Sequence, residues 1–315
     1  MKKFILLLVA MLATTTVWAQ NAPALGDLYY SDGTFSSTLI EGKTPIGVIA
    51  YLGSDSFSEN GVTLRDGVTT LNSYGLVLCL KNAADNAQWG TVNDNEFGED
   101  AAISFSDADN GLRRSTYVSG YTNTKTLIDK NASNYPAASA TWNYTGLMAP
   151  NTTTGWFLPS IQQWVKILEG LGGMSESDVK YGVPFTSTPI DNLNTAMAKA
   201  GSSNYTGMTD NSVIYLSSTE LAGYDNKYVV VLRAEAGNTT TYRFTSLLKN
   251  ANSSAFPSRV RPVLAFSYEE DTPTGLIDID AAQPKTGQRF NMMGQPVSND
   301  YKGIVIEDGK KIIVR

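Results

Sequence analysis

The sequence predicts an α+β protein: a twisted, mostly antiparallel sheet, two main helices and long loops, followed by a small C-terminal β module. Three observations carry that reading. Two short runs, Ile46 to Leu52 and Tyr74 to Leu80, are apolar on both faces, the mark of buried central strands. One segment after Pro159-Ser160 repeats its apolar residues at helical spacing. Most of the chain beyond residue 213 alternates strand-like segments with turn residues.

Taken in order, residues 1–19 read as a signal peptide. Lys2 and Lys3 precede an apolar stretch from Phe4 to Ala13, and Val17-Trp18-Ala19 supplies small residues for cleavage. That stretch is too short to span a bilayer, and no later run reaches eighteen apolar residues, so no transmembrane segment is expected in the mature chain. Asn21 to Thr44 is irregular, with one short strand around Asp27 to Tyr30. Cys79 lies in the second apolar run and reads as a core residue. Lys81 to Ser119 is a polar loop rich in Asn, Asp and Gly, pinned by Trp89. Short helices are expected at Leu127 to Lys130 and from Pro136 to Ala140, where a proline in the first turn forfeits no bond. Gly155 to Leu158 reads as a strand. Ile161, Trp164, Ile167, Leu168 and Leu171 then form the amphipathic helix, with Ser160 to cap it and Gly172-Gly173 to stop it. A second helix is expected over Asp191 to Ala200. Strands follow at Val213 to Leu216, Lys227 to Ala234, Thr241 to Ser246 and Val260 to Phe266, with Gly237-Asn238 as a hairpin turn.

The main domain is therefore expected over residues 27–268 and an acidic Pro- and Gly-bearing linker over 269–275. A β tail occupies 276–315. In it Asp308-Gly309 separates Gly303-Ile-Val-Ile-Glu307 from Lys310-Lys-Ile-Ile-Val-Arg315, a strong hairpin signal.

Composition removes whole classes of chemistry. The 315 residues contain no histidine and one cysteine. Ser-His-Asp and Cys-His catalysis, His-ligated metals, intrachain disulfides and cysteine-bound clusters are excluded. Beyond the leader, 22 basic and 30 acidic side chains give a net charge of −8, and no run of basic residues invites nucleic acid. A leader followed by a disulfide-free chain suggests a bacterial exported protein, at the cell surface or outside the cell, with the periplasm as the alternative.

The candidate site residues have both structural and functional readings. Trp156, Leu158, Pro159, Ser160 and Trp164 read as a sharp strand-to-helix turn with its core anchors. Ser217, Ser218, Thr219 and Glu220 read as a turn where the chain leaves the sheet, the hydroxyls satisfying backbone groups. As a catalytic set they lack a base, so no catalytic residue is assigned. Arg259 and Arg261 flank Val260 on one strand face before Pro262, with one arginine expected to bridge a carboxylate such as Glu220 or Asp191. Asp107 and Asp109, in Ser106-Asp-Ala-Asp-Asn-Gly111, offer oxygen ligands for calcium without EF-hand spacing; no other cofactor is expected. Tyr117, Tyr121, Trp142 and Tyr144 interleave with Asn, Ser and Thr, a pattern suited to stacking against sugar.

Three stretches carry a resemblance. Gly155-Trp-Phe-Leu-Pro-Ser-Ile-Gln-Gln-Trp164 resembles the W-x-L-P-S-x-x-E-W junction of the DUF1566-like and Fibrobacter major paralogous (FISUMP-like) domains. Tyr215-Leu-Ser-Ser-Thr-Glu220 resembles their Y-W-S-S-T-E, and Arg259-Val-Arg-Pro-Val-Leu-Ala-Phe266 their V-R-P-V-R-A-F. This chain has Gln163 where the family often has an acid, and Leu216 where it often has Trp. The resemblance implies a C-type-lectin-like fold, related also to formylglycine-generating enzymes. It does not extend to their chemistry, since calcium-lectin signatures are absent and Cys79 stands alone. The tail, from Phe290-Asn-Met-Met-Gly-Gln-Pro-Val297 onward, resembles C-terminal modules of exported proteins from Bacteroides, Prevotella and Porphyromonas relatives. That likeness implies export machinery as a partner.

The expected role is non-enzymatic: adhesion, or recognition of a glycan or surface protein through loops on a rigid sheet. A structural subunit of a fimbria-like assembly and a polysaccharide-acting enzyme are the alternatives. Recognition requires a groove with at least two exposed aromatics, assembly an open strand edge or apolar patch, and the enzyme a cleft of convergent carboxylates with raised pKa.

Overall fold

The computed structural model describes residues 22–91, 96–97, 103–104, 112, 118–208, 212–222, 227–235, 237, 240–251, 253–269, 289–307 and 310–314. The expected leader, all but the first residue of the expected linker, Asp107, Asp109 and Tyr117 lie outside the described residues. The chain divides into two units, Ala22–Glu269 and a second one that includes Glu270–Arg315. Among the described residues no helix is long and apolar enough to cross a membrane.

In the larger unit, β1 (Leu28–Tyr30), β2 (Phe35–Ser36), β3 (Pro45–Leu52), β4 (Gly75–Cys79) and β11 (Val263–Phe266) form an antiparallel sheet in the order β11-β4-β3-β1-β2. A second sheet runs β10-β7-β8-β9-β6, from β10 (Ser258–Arg259), β7 (Ile214–Ala222), β8 (Tyr228–Glu235), β9 (Thr241–Leu248) and β6 (Phe185–Thr186). Here β8 pairs antiparallel with both β7 and β9, while β10 and β5 (Ile103–Ser104) lie parallel to β7. The described helices number four: α1 (Gly120–Asn131), α2 (Pro136–Trp142), α3 (Ile161–Gly170) and α4 (Thr188–Ala198). The architecture is α+β with mostly antiparallel pairing.

Both sheets bury both faces, which explains apolar runs without alternation. Val48, Ala50, Leu76 and Leu78 from the first sheet meet Tyr215, Val230, Leu232 and Phe244 from the second in the principal core. Ile161, Trp164, Ile167 and Leu168 of α3 and Leu193 and Met197 of α4 complete it. The outer face of the second sheet, Leu216, Val229 and Val231, is covered by α1, α2 and Trp89. The outer face of the first packs Ile46, Ile49, Val77, Cys79 and Phe266 against Tyr29 and Trp156. Burial pushes the Cys79 thiol up to about 12, so it is an inert core residue.

Several expectations need correction. The two main and two short helices expected are present, but the first short one is a full helix that begins at Gly120 rather than Leu127, and the second runs on to Trp142. Gly155 to Leu158 is not a strand, because only Phe157 makes a bridge, to Val263. The Ser217–Glu220 segment does not leave the sheet. It lies inside β7, where the register with β8 shifts between Leu216 and Glu220, so the hydroxyls fill a bulge.

The smaller unit contains a four-stranded antiparallel sheet, β13 (Pro296–Val297), β12 (Arg289–Asn291), β14 (Gly303–Glu307) and β15 (Lys310–Val314) in that order. Glu307 stands opposite Lys310, the register that a two-residue connection imposes. Arg289 Nε donates to Glu307 Oε2 at 2.9 Å across the β12–β14 pair.

Candidate functional site

Leu158, Ser160, Trp164 and the segment from Ser217 to Thr219 come together at the start of α3, and the hydroxyls there are hydrogen-bonded. Ser160 Oγ accepts from Gln163 N at 3.1 Å while Ser160 N donates to Gln163 Oε1 at 2.9 Å, a reciprocal cap. Ser160 Oγ also donates to Val118 O at 2.6 Å. Thr219 Oγ1 accepts from Ile161 N at 2.9 Å, and Ser218 N donates to Pro159 O at 2.8 Å. Ser217 Oγ donates to Val230 O at 2.5 Å. Trp164 and Trp89 donate their indole N–H to Leu216 O and Ser217 O at 3.2 and 2.9 Å. The bulge in β7 is thus a buried junction linking the sheet to α3, and its serines are not poised as nucleophiles. Leu158 N donates to Thr124 Oγ1 of α1 at 3.0 Å. A Cβ on Gly120 would sit 2.7 Å from both Leu158 O and Ser160 N, so only glycine lets α1 start this close.

Two buried carboxylates border the junction. Glu220 pairs with Lys249 Nζ and accepts from Glu96 N and Phe97 N at 3.0 and 3.2 Å. Lys249 Nζ also lies 5.0 Å from the Trp89 ring centroid. Lysine therefore takes the place expected for an arginine. Arg261, fully buried, donates instead to Cys79 O at 3.0 Å and Thr206 O at 2.7 Å, beside buried Pro262. Arg259 sits half-buried in β10. The second carboxylate, Glu59, accepts from Tyr121 N at 3.1 Å, Gln163 Nε2 at 2.6 Å and Ser119 Oγ. Burial without a cationic partner raises its pKa to about 7. Neither Glu59 nor Lys249 was distinguishable in the sequence from an ordinary surface charge.

The aromatic candidates converge on a different place, an open cleft of about 530 Å³ built by the loop from Trp142 to Trp156. Trp142, Tyr144 and Trp156 line it together with Arg65, Asp66 and Met148, the last 63% exposed. Trp142 and Tyr144 are each half-buried. Tyr121 does not reach the cleft. It is 2% exposed, its hydroxyl donates to Thr63 O at 3.0 Å, and its ring lies 5.6 Å from that of Trp142, centroid to centroid.

Arg65, which the sequence did not single out, organises this cleft. Its Nε donates to Thr154 O at 3.0 Å, Nη1 to Trp142 O at 2.8 Å and Nη2 to Trp156 O at 2.5 Å. Its guanidinium carbon stands 3.8 Å from the Trp142 ring centroid. Gly155 runs at φ +67°, and a Cβ there would meet that guanidinium at 2.9 Å, so glycine is required on two counts. Trp156 Nε1 donates to Leu147 O at 2.6 Å, fixing the far wall. Burial pushes the Tyr144 phenol up to about 12, leaving a neutral hydroxyl at physiological pH. The carboxylate in the lining, Asp66, is held below the usual range by its bonds to Thr69 and Val68.

No group of three or more metal-ligating side chains is assembled among the described residues. No family model, curated protein or solved structure matches the chain.

Proposed function

We propose that this is an exported, non-enzymatic recognition protein that holds a glycan in the Arg65–Trp142–Tyr144 cleft. Its larger unit would be a relative of the C-type-lectin-like and formylglycine-generating fold group. One observation carries the reading: two half-buried aromatics, Trp142 at the end of α2 and Tyr144 just after it, line a cleft whose walls are pinned by side-chain hydrogen bonds to backbone carbonyls. Sugar rings pack on aromatic walls while amides and hydroxyls select their orientation, and Asn143, Thr145 and Asn151 supply those groups at the rim. The low pKa of Asp66 suits a structural carboxylate better than a general acid.

A glycan array of the mature chain, run with calcium and with chelator, tests this. Binding that falls about tenfold or more in a Trp142→Ala, Tyr144→Ala double variant supports the cleft. Silence across host and microbial glycans overturns it.

A second role attaches to the tail. β15 forms one edge of its sheet and carries Ile313 at 70% exposure beside exposed Lys310 and Lys311. An open edge with an apolar residue is a template for strand addition, and flanking lysines limit indiscriminate pairing. This supports the tail as the part read by export or surface-attachment machinery. Removal of residues 289–315 should leave the protein in the periplasm, measured by cell fractionation; unchanged surface delivery would sink the idea.

A further inference from the structure

Resting on the reading of the cleft as a glycan site, we propose that it selects acidic sugars, with Arg65 receiving the ligand's carboxylate. The argument starts from donor counting. A guanidinium has five N–H groups, and the three bonds to Trp142, Thr154 and Trp156 leave two, one on each terminal nitrogen. Those three partners are carbonyls, which satisfy hydrogen bonds but do not neutralise the charge. Among the described residues no carboxylate pairs with Arg65, which remains exposed and lines the cleft. Its face is occupied by the Trp142 ring at 3.8 Å, so what it presents to a ligand is its planar edge. A carboxylate is the planar acceptor that matches such an edge.

The neighbouring acid does not fill this role. Asp66 is turned into its own loop, accepting from Val68 N and Thr69 N at 2.9 Å each and from Thr69 Oγ1 at 2.5 Å. A second guanidinium adds to the field. Arg261, fully buried, also donates to carbonyls, Cys79 O and Thr206 O, and its charge favours the ionised Tyr144 phenol, an influence smaller than that of burial. A cationic edge beside aromatic walls and amide side chains fits a uronic or sialic acid. Acidic peptide motifs are read by clusters of arginines, whereas Arg65 is the one basic residue among the described residues that line this cleft.

The probes are hexagalacturonate, a hyaluronan hexasaccharide and sialyllactose, each titrated into the mature chain beside its carboxyl-methyl ester. At least one acid should bind about tenfold or more tightly than its ester, the value of a charge-assisted bond. Because Arg65 also holds the loop, its replacement can damage the cleft itself. Asp66→Asn avoids this, since an amide oxygen still accepts from Val68 and Thr69. Removing that negative charge should tighten the acid by about two- to threefold and leave the ester unchanged. Equal binding of acids and esters overturns acid selectivity and leaves the glycan cleft standing. Failure of acids, esters and neutral glycans alike overturns both. An oligoglutamate peptide that binds more tightly than every acidic sugar would replace the sugar class with a peptide.

Discussion

Glu59 and Glu220 make an instructive pair. Each is a glutamate almost wholly shielded from water, and each touches the start of α3 or the bulge that supports it. Glu220 has a cation, Lys249, and two backbone N–H donors. Glu59 has only neutral donors: the backbone N–H groups of Gly120 and Tyr121, an amide and a hydroxyl. Burial therefore raises the Glu59 pKa to about 7, and near neutral pH its protonation becomes a variable of the fold. The difference separates two ways of keeping a carboxyl indoors: with a counter-charge, or with a proton.

Breaking the charged member has the largest expected effect. Lys249→Met leaves Glu220 buried without its cation and should cost roughly 3–5 kcal/mol. The larger unit holds Trp89, Trp142, Trp156 and Trp164, every tryptophan beyond the leader, so tryptophan fluorescence in a urea titration reads its unfolding alone. Adding Glu220→Gln to Lys249→Met should recover part of that loss; a purely additive double variant would show that the two charges do not act as a pair.

Glu59 sharpens the comparison through pH. Its folded pKa of about 7 lies above the ordinary 4.5, so between those values the folded state keeps a proton that the unfolded state releases. Its contribution is fully present below about 4.5 and is lost as pH rises through 7, a difference of roughly 3 kcal/mol. Glu59→Gln should flatten this slope and stand above the natural protein at pH 8, measured by urea midpoints from pH 4.5 to 8. An unchanged slope would assign the pH dependence elsewhere.

Gln163→Glu is the next smaller test. It exchanges the amide that donates to Glu59 Oε1 for a second acid and should cost about 2 kcal/mol at pH 8 and less at pH 5. That places a physical reason behind glutamine at this position. Smallest is Ser160→Ala, which removes the α3 cap and should cost about 1 kcal/mol at any pH across that range; a loss confined to one end would point to Glu59 instead.

What the sequence made legible follows from which forces act locally. The runs over β3 and β4 announced burial on both faces, and α3 announced itself by its spacing and Ser160. The beginning of α1 did not, because Gly120-Tyr-Thr-Asn-Thr-Lys-Thr126 has no apolar period; it is helical through its place against Leu158 and Ser160. The β7 bulge looked like a turn because Ser and Thr are common in turns, yet their hydroxyls bond across the sheet and to α3. Trp142 and Tyr144 were marked as site residues by their aromatic and polar company. Arg65 carried no such mark, being joined to partners 77 to 91 residues away in the chain. Tyr121 shared the aromatic signature and is packed inside, because composition does not say which way a ring faces.

The three carbonyls gathered by Arg65 have a consequence for variation. They fasten the stretch between Trp142 and Trp156 at its two ends, so its exposed positions, Asn143, Thr145, Met148 and Asn151, work as exchangeable lining. Libraries randomised there would inherit a preset mouth and change only its lining, a route to new specificities without rebuilding the scaffold.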